Sequence, residues 1–216
     1  VFIDELPWMD SRGSNLVSAL EHFWNDWACT QSDIVLVVCG SATSWITRKI
    51  LKNKGGLHNR VTQKLYLRPF TLAECKEYII SRDLIMEDKE IAECYMIMWG
   101  IPFYLKNLRR GASLSQNVDE MFFAEKGRLD GEFDALYASL FDKSENYVKV
   151  VEALSNKNKG LTREELLQAT KLINNGHFSK ILEDLVNCDF IRRYRGNGNN
   201  ARMSVYQLTD PFTLFY

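Results

Sequence analysis

The sequence predicts a short α/β unit, then an all-helical domain, then a winged helix-turn-helix domain. Over residues 1–70, apolar runs of strand length alternate with helical patterns, which favours parallel strands connected by helices. Residues 71–142 keep helical periodicity and contain no strand-like run. From residue 143 onward, three helical patterns precede two strand-like runs, which is the order of elements in a winged helix. The predicted domains are therefore 1–70, 71–142 and 143–216.

The first domain contains three predicted strands. Val1–Ile3 ends at two acidic residues, and Ile34–Cys39 is apolar throughout, a pattern typical of a parallel strand buried on both faces. Lys64–Leu67 is the third predicted strand, and Pro69 closes it. Between the first two strands, Asn15–Trp27 carries its apolar residues at helical spacing, which predicts the connecting helix.

Two capping boxes mark helix starts in the rest of the chain. Thr71 is followed by Glu74, and Thr162 by Glu165, at the spacing that lets each side chain bond the other residue's backbone N–H. The predicted helices of the second domain are Leu72–Asp83, Glu87–Trp99, Pro102–Arg110, Ser113–Ala124 and Gly131–Phe141. The predicted elements of the third domain are helices at Tyr147–Leu154, from Thr162, and at His177–Cys188, and strands at Phe190–Arg195 and Met203–Leu208 around a Gly/Asn-rich loop.

Composition excludes several classes of protein. The 216 residues have a net charge of −1, so the charge of the whole chain gives no argument for binding nucleic acid or membrane. The longest apolar run, Ile34–Cys39, is far shorter than the roughly 20 residues that span a bilayer. The 5 cysteines are scattered without a C-x-x-C pair, which favours a reduced, cytoplasmic protein. The 3 histidines are isolated, so the sequence predicts no histidine metal site.

The acidic pair Asp4 and Glu5 follows the first predicted strand. In phosphoryl-transfer enzymes such a strand end can hold Mg²⁺ through water with one carboxylate and polarise the attacking water with the other. Asp4 takes the first role here and Glu5 the second; the alternative is that both acids only terminate the strand. Ser41 follows the neighbouring strand, where it can reach the same phosphate or water, or alternatively belongs to a small-residue turn.

Two further motifs carry less weight when they are taken singly. Arg60 lies four residues before the third predicted strand, and a guanidinium there can stabilise phosphate charge; the alternative is a surface arginine. Gly100-Ile101-Pro102 lies inside the helical domain. A proline at the first turn of a helix is also ordinary, so this motif has a purely structural alternative.

Taken in order, these features resemble the prokaryotic AAA+/STAND-like P-loop ATPases, also called archaeal-type ATPases. The matching series runs from the acidic strand and Ser41 through Arg60 and a strand ending in Leu-Arg-Pro-Phe to Gly-Ile-Pro and the winged helix. The resemblance implies an AAA+-like ATPase core, a helical lid, ATP and Mg²⁺ as ligands of the whole protein, and a nucleotide-driven switch that can form homo-oligomers. It implies that Asp4 binds Mg²⁺ through water, that Arg60 faces a neighbouring subunit's nucleotide, and that Gly100 and Pro102 lie against the adenine.

The chain departs from that family at one place, because no G-x-x-x-x-G-K-[ST] phosphate loop occurs in it. The family carries this loop upstream of the acidic strand, so we expect the printed sequence to be a fragment. In the family's sheet the loop's strand lies between the third strand and the Ser41 strand, and its loss is expected to leave backbone groups unpaired. Without the loop's N–H groups and lysine, we expect this chain alone to bind ATP weakly and not to hydrolyse it.

The third domain differs in charge from the rest of the chain. From residue 143 it has 11 Lys+Arg against 8 Asp+Glu, a net charge of +3, whereas the preceding residues have a net charge of −4. The candidate nucleic-acid contacts are Lys180, Arg193, Arg195 and Arg202. Glu183 and Asp184 of the predicted recognition helix oppose the approach of phosphate. The alternatives to an ATPase are therefore a winged-helix DNA-binding regulator and a non-enzymatic interaction module with a degenerate ATPase core.

Overall fold

The two-stranded sheet and helices at the start of the chain form a different compact unit from most of the later helices. A computed structural model describes residues 1–11, 13–41, 43–195 and 204–216, with only the backbone at residues 43 and 44. One unit comprises Val1–Leu65 with Ser179–Cys188, and the other comprises Tyr66–Phe178 with Asp189–Tyr216. The division into domains 1–70, 71–142 and 143–216 stays a prediction.

The first unit begins with a β-α-α-β-α order of elements. These are β1 (Phe2–Ile3), α1 (Leu6–Met9), α2 (Leu16–His22), β2 (Val37–Val38) and α3 (Thr43–Ile46). A π-helical turn at Phe23–Trp27 extends α2, and another at Thr47–Leu51 extends α3. The helix predicted at Asn15–Trp27 is therefore present with its last turn widened, and α1 is an element that the sequence pattern did not predict.

The two strands pair in parallel, as the alternation of strand and helix predicts. Phe2 lies opposite Val37, and Ile3 lies opposite Val38. The backbone pairing continues beyond the strands, since the Cys39 N–H donates to the carbonyl of Ile3 at 3.0 Å. The carbonyl of Cys39 accepts from the Leu6 N–H at 2.9 Å. Both the N–H and the carbonyl of Cys39, the residue after β2, are thus hydrogen-bonded.

The expectation that both faces of these strands are buried is wrong. Ile3 and Val38 pack against a small core of Leu6, Ile50 and Leu57. On the opposite face, the paired residues Phe2 and Val37 are 64% and 42% exposed. Within this unit the helices cover one face only, and alternation of side chains in a strand then leaves every second apolar residue in water.

The predicted third strand, Lys64–Leu67, is not formed, because residues 61–70 are irregular. Leu65 and Leu67 are 79% and 93% exposed. A strand needs a partner for its backbone N–H and C=O groups. Among the described residues, no backbone hydrogen bond links residues 61–69 to another strand. The apolar pattern alone therefore predicted a strand that the described part of the chain does not form.

The second unit contains most of the predicted helical segment. Its helices are α4 (Leu72–Ser81), α5 (Asp88–Met98), α6 (Pro102–Leu105), α7 (Leu114–Val118), which a π-helical turn continues to Phe123, and α8 (Glu132–Leu140). The Thr71 capping box is present, with the Glu74 N–H bonded to Thr71 Oγ1 at 3.3 Å and the Thr71 N–H bonded to the Glu74 carboxylate at 2.7 Å. The interior of these helices includes Cys94, Met98 and Leu105, each with no exposed surface. The predicted helix at Pro102–Arg110 is shorter than expected.

The remaining elements agree in order with the sequence pattern. They are α9 (Glu145–Ser155), β3 (Leu161–Thr162), α10 (Arg163–Thr170), α11 (Gly176–Asn187), β4 (Ile191–Tyr194), β5 (Val205–Leu208) and α12 (Pro211–Phe215). The strands form an antiparallel sheet in the order β3-β5-β4. The predicted Gly/Asn-rich loop at 196–200 lies outside the described residues. The pattern missed β3 and α12. In the described part of the chain, no helix combines the length and the apolar composition needed to cross a bilayer.

The terminal helix α12 inserts its aromatic residues among the helices of the second unit. The ring of Phe212 stacks on Tyr104 of α6 at a centroid distance of 4.9 Å, and Phe215 meets Phe122 edge to face at 5.4 Å. The buried hydroxyls of Tyr137 and Thr213 share a hydrogen bond of 3.0 Å. Aromatic pairs of this kind contribute about 0.5–1.5 kcal/mol each beyond area burial. Phe212 is therefore part of this core, and Phe215 packs against it.

Asp210 caps α12, with its carboxylate accepting from the Thr213 N–H at 2.6 Å. Desolvation raises the pKa of Asp210 above its ordinary value, and the hydrogen bonds from Thr213 oppose that rise. A carboxyl group whose pKa is higher in the folded than in the unfolded state stabilises the fold when it is protonated, and this stabilisation is lost when it ionises. Its contribution to stability therefore falls as the pH rises from about 4, where a free aspartate titrates, towards neutrality.

We expect Asp210→Asn to keep the cap and to lose this pH dependence. Asparagine caps helices about as well as aspartate, but it carries no charge to desolvate. The measurement is the free energy of unfolding of both proteins from about pH 4 to pH 7. The difference in favour of Asp210→Asn should grow with pH. Asp210→Ala is the control, because it also removes the cap and should be about 1 kcal/mol less stable than Asp210→Asn at every pH. Parallel pH curves for wild type and Asp210→Asn would contradict the raised pKa of Asp210.

Candidate functional site

The acidic pair lies at the carboxyl end of β1, where the chain leaves the sheet. Asp4 is exposed and Glu5 is half-buried. Glu5 has φ 45° and ψ 47°, the left-handed conformation that costs a residue other than glycine about 1–2 kcal/mol. In a continuing strand, Asp4 and Glu5 would point to opposite faces. The left-handed turn at Glu5 interrupts that alternation, so both carboxylates can reach residues that follow β2.

Glu5 and Ser41 are joined by hydrogen bonds across the two strand ends. The Ser41 N–H lies 3.1 Å from Glu5 Oε2 and 3.2 Å from Oε1, and the Ser41 hydroxyl donates to Oε2 at 3.0 Å. Hydrogen bonds to a charged acceptor are roughly twice as strong as neutral ones. The structure thus brings together two residues that the sequence singled out, 36 positions apart in the chain.

Asp4 accepts a hydrogen bond from Cys39, a residue that the sequence reasoning did not select. The thiol donates to Asp4 Oδ1 with a sulfur–oxygen distance of 2.7 Å, and the Glu5 N–H donates to the same oxygen at 3.1 Å. The hydrogen bond to Asp4 is the main cause that raises the pKa of the Cys39 thiol above its ordinary value, although the backbone of Glu5 lowers it. The signal that could have found Cys39 is its period-2 spacing from Ser41, which places both side chains on the same side of an extended chain.

Gly40 allows this segment to lie against α1. A β-carbon at this position would lie 2.5 Å from Cδ of Pro7, a distance that real side chains do not reach. The same β-carbon would lie 2.7 Å from Cγ of Pro7, so the Pro7 ring occupies the space that a side chain at Gly40 would need. The close contact with Pro7 thus requires a glycine next to Ser41.

Arg60 is exposed and follows a turn in which its N–H donates to the carbonyl of Leu57 at 3.1 Å. Within the described residues, no hydrogen bond or ion pair links Arg60 to Asp4, Glu5 or Ser41. The proposed role at a neighbouring subunit's nucleotide stays a prediction.

Gly100 lies in the turn between α5 and α6, and Pro102 is the first residue of α6. The Gly100 carbonyl accepts from the Phe70 N–H at 2.9 Å, which ties the irregular segment before α4 to this turn. Gly100 has φ +61°, and a β-carbon there would overlap the carbonyl oxygen of Phe70. Pro102 occupies the first turn of α6 and is exposed. The motif therefore has a clear structural role, while the contact of Gly100 and Pro102 with adenine stays a prediction.

The predicted nucleic-acid contacts differ in exposure. Arg193 and Arg195 are exposed, and Lys180 of α11 is half-buried. Arg202 lies outside the described residues. Asp184 was expected on the exposed face of α11, and this is wrong, since only 5% of it is exposed. The helical spacing was consistent with exposure, but it cannot distinguish a flanking position from a core position.

The donor groups at the strand ends fit a magnesium ion that shares its coordination with a phosphate ligand. Carboxylate and hydroxyl oxygens are the ligands Mg²⁺ prefers, and it is commonly held by one or two carboxylates together with phosphate oxygens and water. Among the described residues, no group of three or more His, Cys, Asp or Glu side chains is arranged to hold a metal. Asp4 and Glu5 therefore do not form a complete metal site by themselves, and the role of Asp4 toward Mg²⁺ stays a prediction.

No family model matches the chain, and no curated protein matches it. Among solved structures, a Walker-type ATPase of Pyrococcus abyssi has a similar fold, with a TM-score of 0.65 and 19% sequence identity. The match covers 99% of this chain and 61% of the archaeal chain. The chain therefore spans less than two thirds of the length of that neighbour. At this identity the similarity shows only that the fold is like that of this neighbour.

We expect Gly100→Ala to destabilise the protein more than Gly111→Ala does. Both glycines have positive φ, but a β-carbon at Gly111 would meet nothing within 4 Å, whereas at Gly100 it would overlap backbone. Gly111→Ala should therefore lose only about 1–2 kcal/mol for its conformation. Gly100→Ala should lose about 1–3 kcal/mol more, because the Phe70 carbonyl must move. The measurement is urea unfolding of both variants, and equal losses would show that the Gly100–Phe70 contact is not tight.

Proposed function

We propose that this chain is the magnesium-binding and water-activating portion of a nucleotide-binding ATPase of the AAA+/STAND type, whose nucleotide state drives a conformational switch. One observation carries the proposal. Asp4 and Glu5 follow one parallel strand, and hydrogen bonds join them to Cys39 and Ser41 after the next. A fold similar to that of a Walker-type ATPase supports this assignment, because ligands of open parallel sheets bind at the carboxyl ends of the strands.

Each residue at the strand ends has a proposed role. Asp4 would hold Mg²⁺ through the water shell of the ion, and the bound metal would supply the positive charge that neutralises the phosphate. Glu5 would accept a proton from the attacking water, or orient it, with the Ser41 N–H holding its carboxylate at the required angle. When a nucleotide is bound, the Ser41 hydroxyl would exchange its hydrogen bond to Glu5 for one to the γ-phosphate or the water. Arg60 contributes positive charge to a nucleotide in a neighbouring subunit, which would make the active form an oligomer.

The helical segment supplies the proposed lid, with Pro102 against the adenine. Pro102 is exposed at the first turn of α6, and Phe103 beside it is 49% exposed. An exposed apolar pair of this kind offers a flat surface to a base, and the fixed turn at Gly100 holds it in place. A cytoplasmic location and a nucleotide as the partner of the whole protein belong to the same proposal.

The experiment compares this chain with the product of its complete reading frame. The printed sequence has no phosphate loop, so the chain alone should show no ATP binding at micromolar concentrations. The complete product should bind ATP with Mg²⁺, and Glu5→Gln should lower its hydrolysis rate by about 10²–10⁴-fold while it retains nucleotide. Asp33→Asn, at an exposed carboxylate of the same unit, is the matched control. Wild-type hydrolysis by Glu5→Gln would remove Glu5 from the mechanism, and no ATP binding by the complete product would end the assignment.

A DNA-binding regulator remains a second candidate because of one feature of the sheet. On β4 and just after it, the structure exposes Arg192, Arg193 and Arg195, and the burial of Asp184 removes one of the two acids that opposed DNA. A winged helix would place these arginines on its wing, against the phosphate backbone.

We expect the double variant Arg193→Ala with Arg195→Ala to reduce the salt dependence of any DNA binding. Each lost phosphate contact lowers the log–log slope by about 0.9, so the slope should fall by nearly two units. Lys52→Ala with Lys54→Ala removes the same charge elsewhere and is the control. An unchanged slope, or equal losses in both double variants, would exclude a specific role for β4.

A further inference from the structure

We propose that Cys39 is a positioning residue for Asp4, and that its thiol determines which carboxylate oxygen of Asp4 faces the magnesium-bound water. The inference deepens the proposed function and rests on it, since a metal-bound water lies at Asp4 only if the site binds a nucleotide. Its basis is a hydrogen bond that lies directly at the proposed metal-binding carboxylate and involves a residue with no role assigned so far.

Both protein donors act on the same oxygen of Asp4. The Cys39 thiol lies 2.7 Å from Oδ1, and the Glu5 N–H lies 3.1 Å from it. A carboxylate oxygen has two lone pairs, so these two donors occupy both hydrogen-bond acceptor positions of Oδ1. Within the described part of the chain, no donor is bonded to Oδ2. Oδ2 is therefore the oxygen left to accept from a water of the metal.

The backbone of Cys39 fixes the position from which the thiol projects. The N–H and the carbonyl of Cys39 are both bonded to the β1–α1 segment, through Ile3 and Leu6. The thiol can therefore change position only by rotating about its own side-chain bond. A group held in this way can orient its partner without losing much conformational freedom when a ligand binds.

Two residues of the segment 39–41 each donate a hydrogen bond to a different one of the two acids. Cys39 donates to Asp4 and Ser41 donates to Glu5, while Gly40 between them packs on Pro7. The period-2 spacing of Cys39 and Ser41 and the left-handed turn at Glu5 are both needed for this match. The same three-residue segment thus orients both carboxylates, and not Glu5 alone.

The first test uses this chain and needs no nucleotide. The infrared S–H stretching band of Cys39, isolated as the difference between wild type and Cys39→Ser, should lie at lower frequency than that of the exposed Cys29, because its acceptor is a carboxylate. Asp4→Ala should raise the frequency of this band and leave the band of Cys29 unchanged. An unmoved band in Asp4→Ala would overturn the Cys39–Asp4 hydrogen bond and the proposal with it.

The second test uses the complete reading-frame product and measures the Mg²⁺ concentration that gives half of the full increase in nucleotide affinity. Cys39→Val keeps the size and strand preference of the residue but removes the donor. It should raise this concentration about tenfold, as loss of an outer-shell partner of a metal ligand does. Cys39→Ser restores a donor and should return the value close to wild type. Nucleotide affinity without Mg²⁺ and the midpoint of thermal unfolding should change little.

The outcomes separate this proposal from the proposed function. If the wild-type product binds nucleotide but Cys39→Val has the wild-type requirement for Mg²⁺, the positioning role is wrong and the ATPase assignment stands. The same conclusion follows if Cys39→Ser is as impaired as Cys39→Val, because the effect is then one of packing. If the wild-type product binds no nucleotide, the proposed function fails, and the role of Cys39 toward a metal fails with it, whatever the infrared result.

Discussion

The parallel register of β1 and β2 is the constraint on which the candidate site depends. Pairing of Phe2 with Val37 and of Ile3 with Val38 places Cys39 next to Asp4, and the peptide of Cys39 is bonded on both sides. Because side chains alternate along a strand, a slip of one residue would turn Cys39 and Ser41 away from the acids and expose Val38 in place of Val37. The small core of Leu6, Ile50 and Leu57 opposes that slip, since it requires Ile3 and Val38 on its side.

The backbone at the strand ends is locally unfavourable in free energy, and the surrounding contacts offset this. Glu5 adopts a left-handed conformation, and Gly40 leaves no space for a side chain above Pro7. Unfavourable backbone conformations persist where neighbouring structure over-determines them, and they concentrate at binding and catalytic sites. Here the hydrogen bonds from Ser41 to Glu5 supply part of that compensation. The strain and the acidic pair lie at the same residue, which is consistent with a site whose geometry was selected at some cost in stability.

Sequence reasoning predicted elements whose signal is local and missed those that depend on distant partners. The capping boxes at Thr71 and Thr162 were predictable because both halves of each box lie within four residues. The parallel pair and the contact of Glu5 with Ser41 followed from the rule that ligands gather at the carboxyl edge of a sheet. Lys64–Leu67 failed as a strand because apolar content reports burial tendency and not the presence of a partner. Cys39 was missed because its contact with Asp4 depends on a left-handed turn at Glu5, and a glutamate residue does not predict a left-handed conformation.

The position of α12 in the second unit has a consequence for how the protein is made. Phe212 and Phe215 belong to the same core as residues of α4 and α5, more than 100 positions earlier in the chain. Helices of that unit can form during translation, but their apolar faces cannot close around Tyr104 and Phe122 until the segment 211–215 has left the ribosome. Long-range contacts of this kind slow folding and leave apolar surface open in the nascent chain. The apolar faces of the newly synthesised helices therefore stay open to water until the last of their aromatic partners is made.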